Sequence, residues 1–176
     1  MKTKQITFHN KDGSTYQGTW KDGKEHGYGI GKADGCTYEG EWKNGLPHGD
    51  GTLIDEEGTV FEGKFIEGKP IDGIMEFDDG SMYGGGLNED VEFHGTGIII
   101  GEDGDRMLGT FVNGEMHGVF ETTDEEGYYG LGEYKNNKRH SYWREKYPDG
   151  SKWDVQYEDG EIVARSERKI ELVSDK

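Results

Sequence analysis

Five of the six histidines, His26, His48, His94, His117 and His140, hold one position in a recurring pattern, each directly before a glycine or, for His140, a serine. Regularly spaced imidazoles are the first ligands that zinc chemistry would use. On paired strands, however, equivalent positions of consecutive two-strand units fall about 10 Å apart, whereas zinc holds its nitrogen ligands at about 2.0–2.1 Å. These histidines therefore read as parts of a repeated turn. Gly58-Thr59-Val60-Phe61-Glu62-Gly63-Lys64 has the spacing of a phosphate-binding loop, but Phe65 stands where a magnesium-binding Ser or Thr belongs and no helix opens after it. Glu102-Asp103-Gly104-Asp105 is acidic enough for calcium, yet it lacks the alternating ligands and closing glutamate of a calcium loop. The 37 acids single out no general acid and base. Cys36 is the lone thiol, which forbids an internal disulfide or a cysteine zinc cluster, and no nucleophile elbow is present. The residues assign no catalytic group, metal or cofactor, and the expectation is a protein that is not an enzyme.

The side chains that do form an array are aromatic. An apolar residue, a glycine two places on and a second large apolar residue two places later recur at Tyr16-Gly18-Trp20, Tyr38-Gly40-Trp42, Phe61-Gly63-Phe65, Tyr83-Gly85-Leu87 and Met107-Gly109-Phe111. The pattern then degrades to Gly130-Gly132-Tyr134 and Trp153-Val155-Tyr157, with successive starts 22 to 24 residues apart throughout. A period of that length marks an array of small supersecondary units.

One copy shows the physics. Tyr38, Gly40 and Trp42 alternate with Glu39 and Glu41, the two-residue period of a half-exposed strand with rings on one face and carboxylates on the other. Gly40 leaves room for a ring to lie against backbone. Asn44-Gly45 ends the strand with a dipeptide suited to positive φ, and a second extended segment from Gly49 through Ile54 stops at Glu57-Gly58, a turn that reads Asp-Gly in most other copies. Each unit is thus a hairpin, and because a lone hairpin is marginal in water, consecutive hairpins should pair edge to edge.

The pattern Tyr-x-Gly-x-Trp-x-x-Gly-x-x-His-Gly-x-Gly followed by Asp-Gly resembles the MORN repeat, over roughly residues 12 to 160. Leu131 to His140, followed by Tyr147-Pro148-Asp149-Gly150, is similar to the last MORN repeats before the catalytic domain of some SET-type histone lysine methyltransferases, although only sixteen residues follow Gly160. Three units depart from the pattern. Asp72 stands where a turn glycine is expected, Asp90 replaces another with lengthened spacing, and in the sixth unit Gly130 lacks the leading aromatic while Ser141 replaces glycine. Local distortion over 68–95 and a shallower groove in the sixth unit are the expected consequences.

Leu, Ile, Val and Phe make up less than a fifth of the chain and the net charge is -17, a composition that ordinarily marks disorder. Ten Tyr, four Trp and seven Phe in phase with the repeat overturn that inference, because large rings bury enough area to replace several aliphatics. All of the net charge lies in residues 1–127, where 27 acids face 10 bases, while residues 128–176 are neutral. Such a field disfavours nucleic acid and anionic membranes and favours a basic partner. Only Lys135, Lys138, Arg139, Arg144 and Lys146 form a local basic patch. No apolar stretch resembles a leader or a membrane span, which gives the expectation of a cytoplasmic protein.

The fold expected is all-β, an elongated, twisted, single-layer antiparallel sheet of consecutive hairpins with an aromatic groove. Residues 1–163 form the repeat domain, with a capping half-repeat at 1–15, and 164–176 form a C-terminal cap or tail; Ile162-Val163 and Ile170 to Val173 are expected to fold over the end, as strand or helix. The candidate partner-binding groove is Tyr16, Trp20, Tyr38, Trp42, Phe61, Phe65, Tyr83, Leu87, Phe111, Tyr134, Trp153 and Tyr157. Contiguous apolar area on a single layer marks an interaction site. The resemblance implies a non-catalytic scaffold or adaptor that binds a peptide or helix of a protein partner, with a basic or amphipathic segment suited to the acidic rim. The alternatives are a phospholipid-associated repeat protein and a regulatory array acting with a separate enzyme. Open sheet edges beginning at Ile6 to Phe8 also offer a route to homodimers.

Overall fold

The computed structural model of the chain describes residues 6–168. Every regular element among them is a strand. Two compact units divide between Glu92 and Phe93. The first holds β1 (Ile6–His9), β2 (Thr15–Lys21), β3 (Lys24–Ala33), β4 (Cys36–Lys43), β5 (Leu46–Ile54), β6 (Val60–Ile66), β7 (Lys69–Glu76) and β8 (Met82–Leu87). The second holds β9 (Phe93–Ile100), β10 (Arg106–Val112), β11 (Glu115–Thr123), β12 (Tyr129–Lys135), β13 (Lys138–Lys146), β14 (Lys152–Glu158) and β15 (Glu161–Glu167). The protein is all-β, and within each unit the strands pair antiparallel in chain order. β15 runs across the boundary expected at 163, and the cap expected at Ile170 to Val173, like the first five residues of the half-repeat, lies outside the described residues.

Two kinds of turn alternate, and their residues explain them. Asn44 and Gly45 have φ of 55° and 91°. Two positive values in a two-residue loop give the turn whose twist matches paired strands. The longer turns close differently. At Asp55 to Gly58 the Gly58 N–H donates to Asp55 O at 3.3 Å, while the Asp55 carboxylate accepts the N–H groups of Glu57 and Thr59, both at 2.9 Å. The repeated His-Gly dipeptide has a separate task. Gly49 sits at φ 65°, and the β4–β5 register slips between Gly40 and Trp42, so the dipeptide forms a bulge with glycine in the left-handed region.

The departures expected in the third and fourth units are present and local. Asp72 keeps negative φ, and the β6–β7 slip moves to the step from Lys64 to Phe65. After β8, Asn88 to Glu92 replaces the two-residue turn with a longer loop, closed by Asn88 N–H to Glu92 O at 2.9 Å, with Val91 at φ 63°.

Register lines the glycines up. In the first unit Gly18, Gly29, Gly40, Gly51, Gly63, Gly73 and Gly85 face one another on seven successive strands, β2 to β8. In the second unit the same row reads Gly97, Gly109, Phe120 and Gly132. On one side of the sheet this row is where the core forms.

Candidate functional site

Tyr38 shows how the ring face is built. A Cβ placed on Gly51 would collide with the Tyr38 ring, and one on Gly40 would lie 2.7 Å from its hydroxyl, so the ring lies flat on bare backbone. Its hydroxyl donates to Glu41 O at 3.0 Å, and Tyr16 and Tyr83 repeat the arrangement with Thr19 O at 3.1 Å and Gly86 O at 2.8 Å. Burial pushes the Tyr38 phenol up to about 12, a rise that the bond to His48 O opposes and the nearby Glu41 and Asp50 carboxylates reinforce. Trp42 reaches back over Gly31, and its indole N–H donates to Gly29 O at 3.1 Å.

The rings then interlock. Tyr16 meets Trp20 at 5.4 Å and Trp42 at 5.0 Å; Tyr38 meets Trp42 at 5.2 Å and Phe65 at 4.8 Å; Phe61 meets Phe65 at 5.3 Å, all edge to face. Pairs of this geometry contribute about 0.5–1.5 kcal/mol each beyond area burial. Ring on ring and ring on glycine together do the work of a second layer.

Of the twelve residues expected to line a groove, Tyr16, Tyr38, Phe61, Phe65, Tyr83, Leu87, Phe111, Tyr134 and Tyr157 are buried. Trp42 and Trp153 are half-buried, and Trp20 is 39% exposed. The structure brings these side chains onto one face within each unit, and most of that face is core. On this face a cavity of about 280 Å³ lies over β2 to β5, lined by Tyr16, Tyr38, Trp42, Pro47 and Leu53 together with Cys36, Glu25 and Lys32.

The second unit solves the same packing problem with different residues, which the repeat pattern missed. Phe120, fully buried, lies over Gly109, and Trp143, also fully buried, lies over Gly132. Each comes from the strand opposite the glycine, where the first unit has a second glycine. The ring ladder continues through them: Phe93 to Phe111 at 5.8 Å, Phe111 to Phe120 at 5.3 Å, Phe120 to Tyr134 at 5.1 Å, Tyr134 to Trp143 at 5.3 Å, Trp143 to Tyr157 at 6.1 Å. In the sixth repeat Trp143 fills the place that the absent ring at Gly130 would have taken. The signal was present in His117-Gly118-Val119-Phe120 and His140-Ser141-Tyr142-Trp143, where a ring replaces the second glycine just where the leading aromatic is lost.

An ion pair with a buried carboxylate sits beside Trp143. Glu145 is 3% exposed, and its Oε1 accepts from Arg139 Nη1 at 3.0 Å, the Tyr157 hydroxyl at 2.8 Å and the Tyr128 hydroxyl at 3.3 Å, while Oε2 accepts from the Tyr147 hydroxyl at 2.7 Å. The guanidinium lies 4.5 Å from the Trp143 ring centre. A charge this buried persists because every partner is in place. Burial pushes Tyr128 and Tyr147 up to about 12, the latter also through its bond to Glu145. Arg139 is thus bound inward and withdrawn from the basic patch of which it was expected to be part.

Among the described residues no three His, Cys, Asp or Glu side chains converge as metal ligands, and no helix is long and apolar enough to cross a membrane.

The MORN repeat family model matches residues 16–30, 38–60, 108–119 and 131–152. The chain carries MORN repeats. Each matched segment contains part of a hairpin of the ring-on-glycine type just described. No curated protein matches the sequence. Similar solved structures share the MORN-repeat chain's all-β fold at low identity. The wild-type TCP10 domain of Danio rerio CPAP in complex with a peptide of Danio rerio STIL is 15% identical, with a TM-score of 0.52 over 93% of this chain and 74% of that one. The same domain alone is 16% identical, with a TM-score of 0.50 over 96% and 81%. The SAS-4 (dCPAP) TCP domain of Drosophila melanogaster, in complex with a proline-rich motif of Ana2 (dSTIL), is 13% identical, with a TM-score of 0.51 over 87% and 90%.

Proposed function

We propose that this MORN-repeat chain is a protein-interaction module that captures a peptide or short amphipathic helix of a partner, anchored at the open part of the ring face on β2 to β5. The observation that carries this reading is the open, apolar cavity beside Trp42 on a ring face that is mostly buried. Its volume suits one or two side chains, so one apolar residue of the partner would seat between Tyr16, Tyr38 and Trp42. The net negative charge of residues 1–127 would then favour basic flanks. That similarly folded TCP domains are bound to a STIL peptide and to a proline-rich motif supports capture of a peptide segment.

The test is selection of binding peptides from a random display library, followed by affinity measurement on Trp42→Ala. The expected peptides carry an apolar anchor with Lys or Arg beside it and lose at least about tenfold in affinity on the variant, as an anchor residue in a desolvated pocket should. Peptides that bind Trp42→Ala as tightly as the unmodified chain would count against the cavity. Phe65 is no use as a second probe, since at 2% exposure its truncation reports on folding.

A further inference from the structure

The face opposite the rings is independent of that cavity, and in the first unit it has a regular shape. Residues on either side of the glycine row point away from the rings and form two banks of a trough across β3 to β7. One bank carries Glu39 on β4 and Glu62 on β6; the other carries Asp50 on β5 and Asp72 on β7, all exposed. Tyr28 and Ile74, 61% and 51% exposed, stand at the two ends. The trough encloses about 600 Å³ above a floor of glycine backbone.

Its dimensions choose an occupant. The backbone groups of these strands are committed to their neighbours in the sheet, so a ligand crossing them finds no ladder to join. The banks stand two residues apart along each strand, about 6.8 Å, too narrow for an α-helix of about 10–12 Å across. A polyproline II segment needs no backbone partners and turns once in three residues, about 9.3 Å. Acids on one bank recur every second strand, about 9.6 Å. The two repeats match, so every third residue of such a segment would meet the same bank.

We infer that the outer face of β3 to β7 binds a proline-rich polyproline II segment carrying Arg or Lys at every third position. The cations pair with Glu39 and Glu62 on one bank or with Asp50 and Asp72 on the other, while prolines rest on Tyr28 and Ile74. Tyr28 is already oriented for this, its hydroxyl donating to Glu39 at 2.9 Å. Lys64, which bonds Asp50 at 2.9 Å across two exposed side chains, swings aside at small cost when a ligand cation takes its place.

A labelled peptide of four Pro-Pro-Arg triplets, titrated into the intact chain at physiological salt with fluorescence anisotropy as readout, tests the inference. Binding is expected, with at least about tenfold loss on the combined Glu39→Gln, Glu62→Gln and Asp72→Asn variant and none on Trp42→Ala. A peptide of four Gly-Ser-Arg triplets, equal in charge but flexible, is expected to bind at least about tenfold more weakly because it must be ordered on binding. Equal affinity for the two peptides, wild-type affinity in the combined variant, or loss on Trp42→Ala would each overturn the proposal. The substituted acids are exposed, so circular dichroism should show an intact fold. Because Trp42 is silent here and decisive for the ring-face cavity, failure of either reading is seen separately.

Discussion

At the scale of the residue, the fold depends on one contact repeated: a ring laid on a glycine. Gly51 needs no unusual φ; it needs to lack a Cβ, because the Tyr38 ring occupies that space. Gly51→Ala should therefore destabilise by about 1–3 kcal/mol, the range for forcing a methyl into a filled core. The same change made in Tyr38→Ala should cost much less, since the ring it displaces is gone. Chemical denaturation of the two single variants and the double variant measures this coupling. Additive losses would show that the ring and the glycine do not depend on each other.

Whole hairpins reveal that the ring and the glycine are exchangeable partners. In the first unit the ring stands two residues before one glycine and faces a second glycine across the strand pair. On β10 and β11 the arrangement reverses, with Met107 in the leading place and Phe120 opposite Gly109. Volume over the row is conserved while its source moves from one strand to the other. Phe120→Gly alone should cost about 3–5 kcal/mol, as truncation of a fully buried Phe does. Adding Met107→Tyr should restore at least about 1 kcal/mol of that loss, because it recreates the Tyr38 arrangement. Thermal melts of the two variants compare directly; a double variant no more stable than Phe120→Gly would mean the exchange is not a packing equivalence.

For the molecule as a whole, one buried and two half-buried phenols tie stability to alkaline pH. Tyr38 in the first unit and Tyr128 and Tyr147 in the second are held up to about 12, against an ordinary value of 10.0. The folded state therefore holds these protons more tightly than the unfolded chain. Their contribution is fully present below pH ~10 and is lost as pH rises towards ~12. Denaturation midpoints should stay level up to pH ~9 and fall between ~10 and ~12. Tyrosinate absorbance from Tyr38, Tyr128 and Tyr147, identified by Phe substitutions, should appear only as pH approaches ~12. Ionisation of these three near ~10, with no loss of stability, would contradict their shielding.

The order of residues alone determined the hairpin unit, its turns, the glycine row and the face on which Tyr38, Trp42 and Phe65 fall. Each of these follows from a two-residue period and from local turn chemistry, which neighbouring residues decide between themselves. What the repeat could not reveal was how far the rings would cover one another. Tyr38 is buried by Trp42 from its own repeat and Phe65 from the next, and Phe120 and Trp143 replace missing rings from the opposite strand. Glu145 gathers Arg139, Tyr128, Tyr147 and Tyr157 from two strands and two loops. Most of these contacts join different strands and are fixed only when strand pairing sets their register, and they leave an open stretch beside Trp42 on the ring face and a narrow acidic trough behind it.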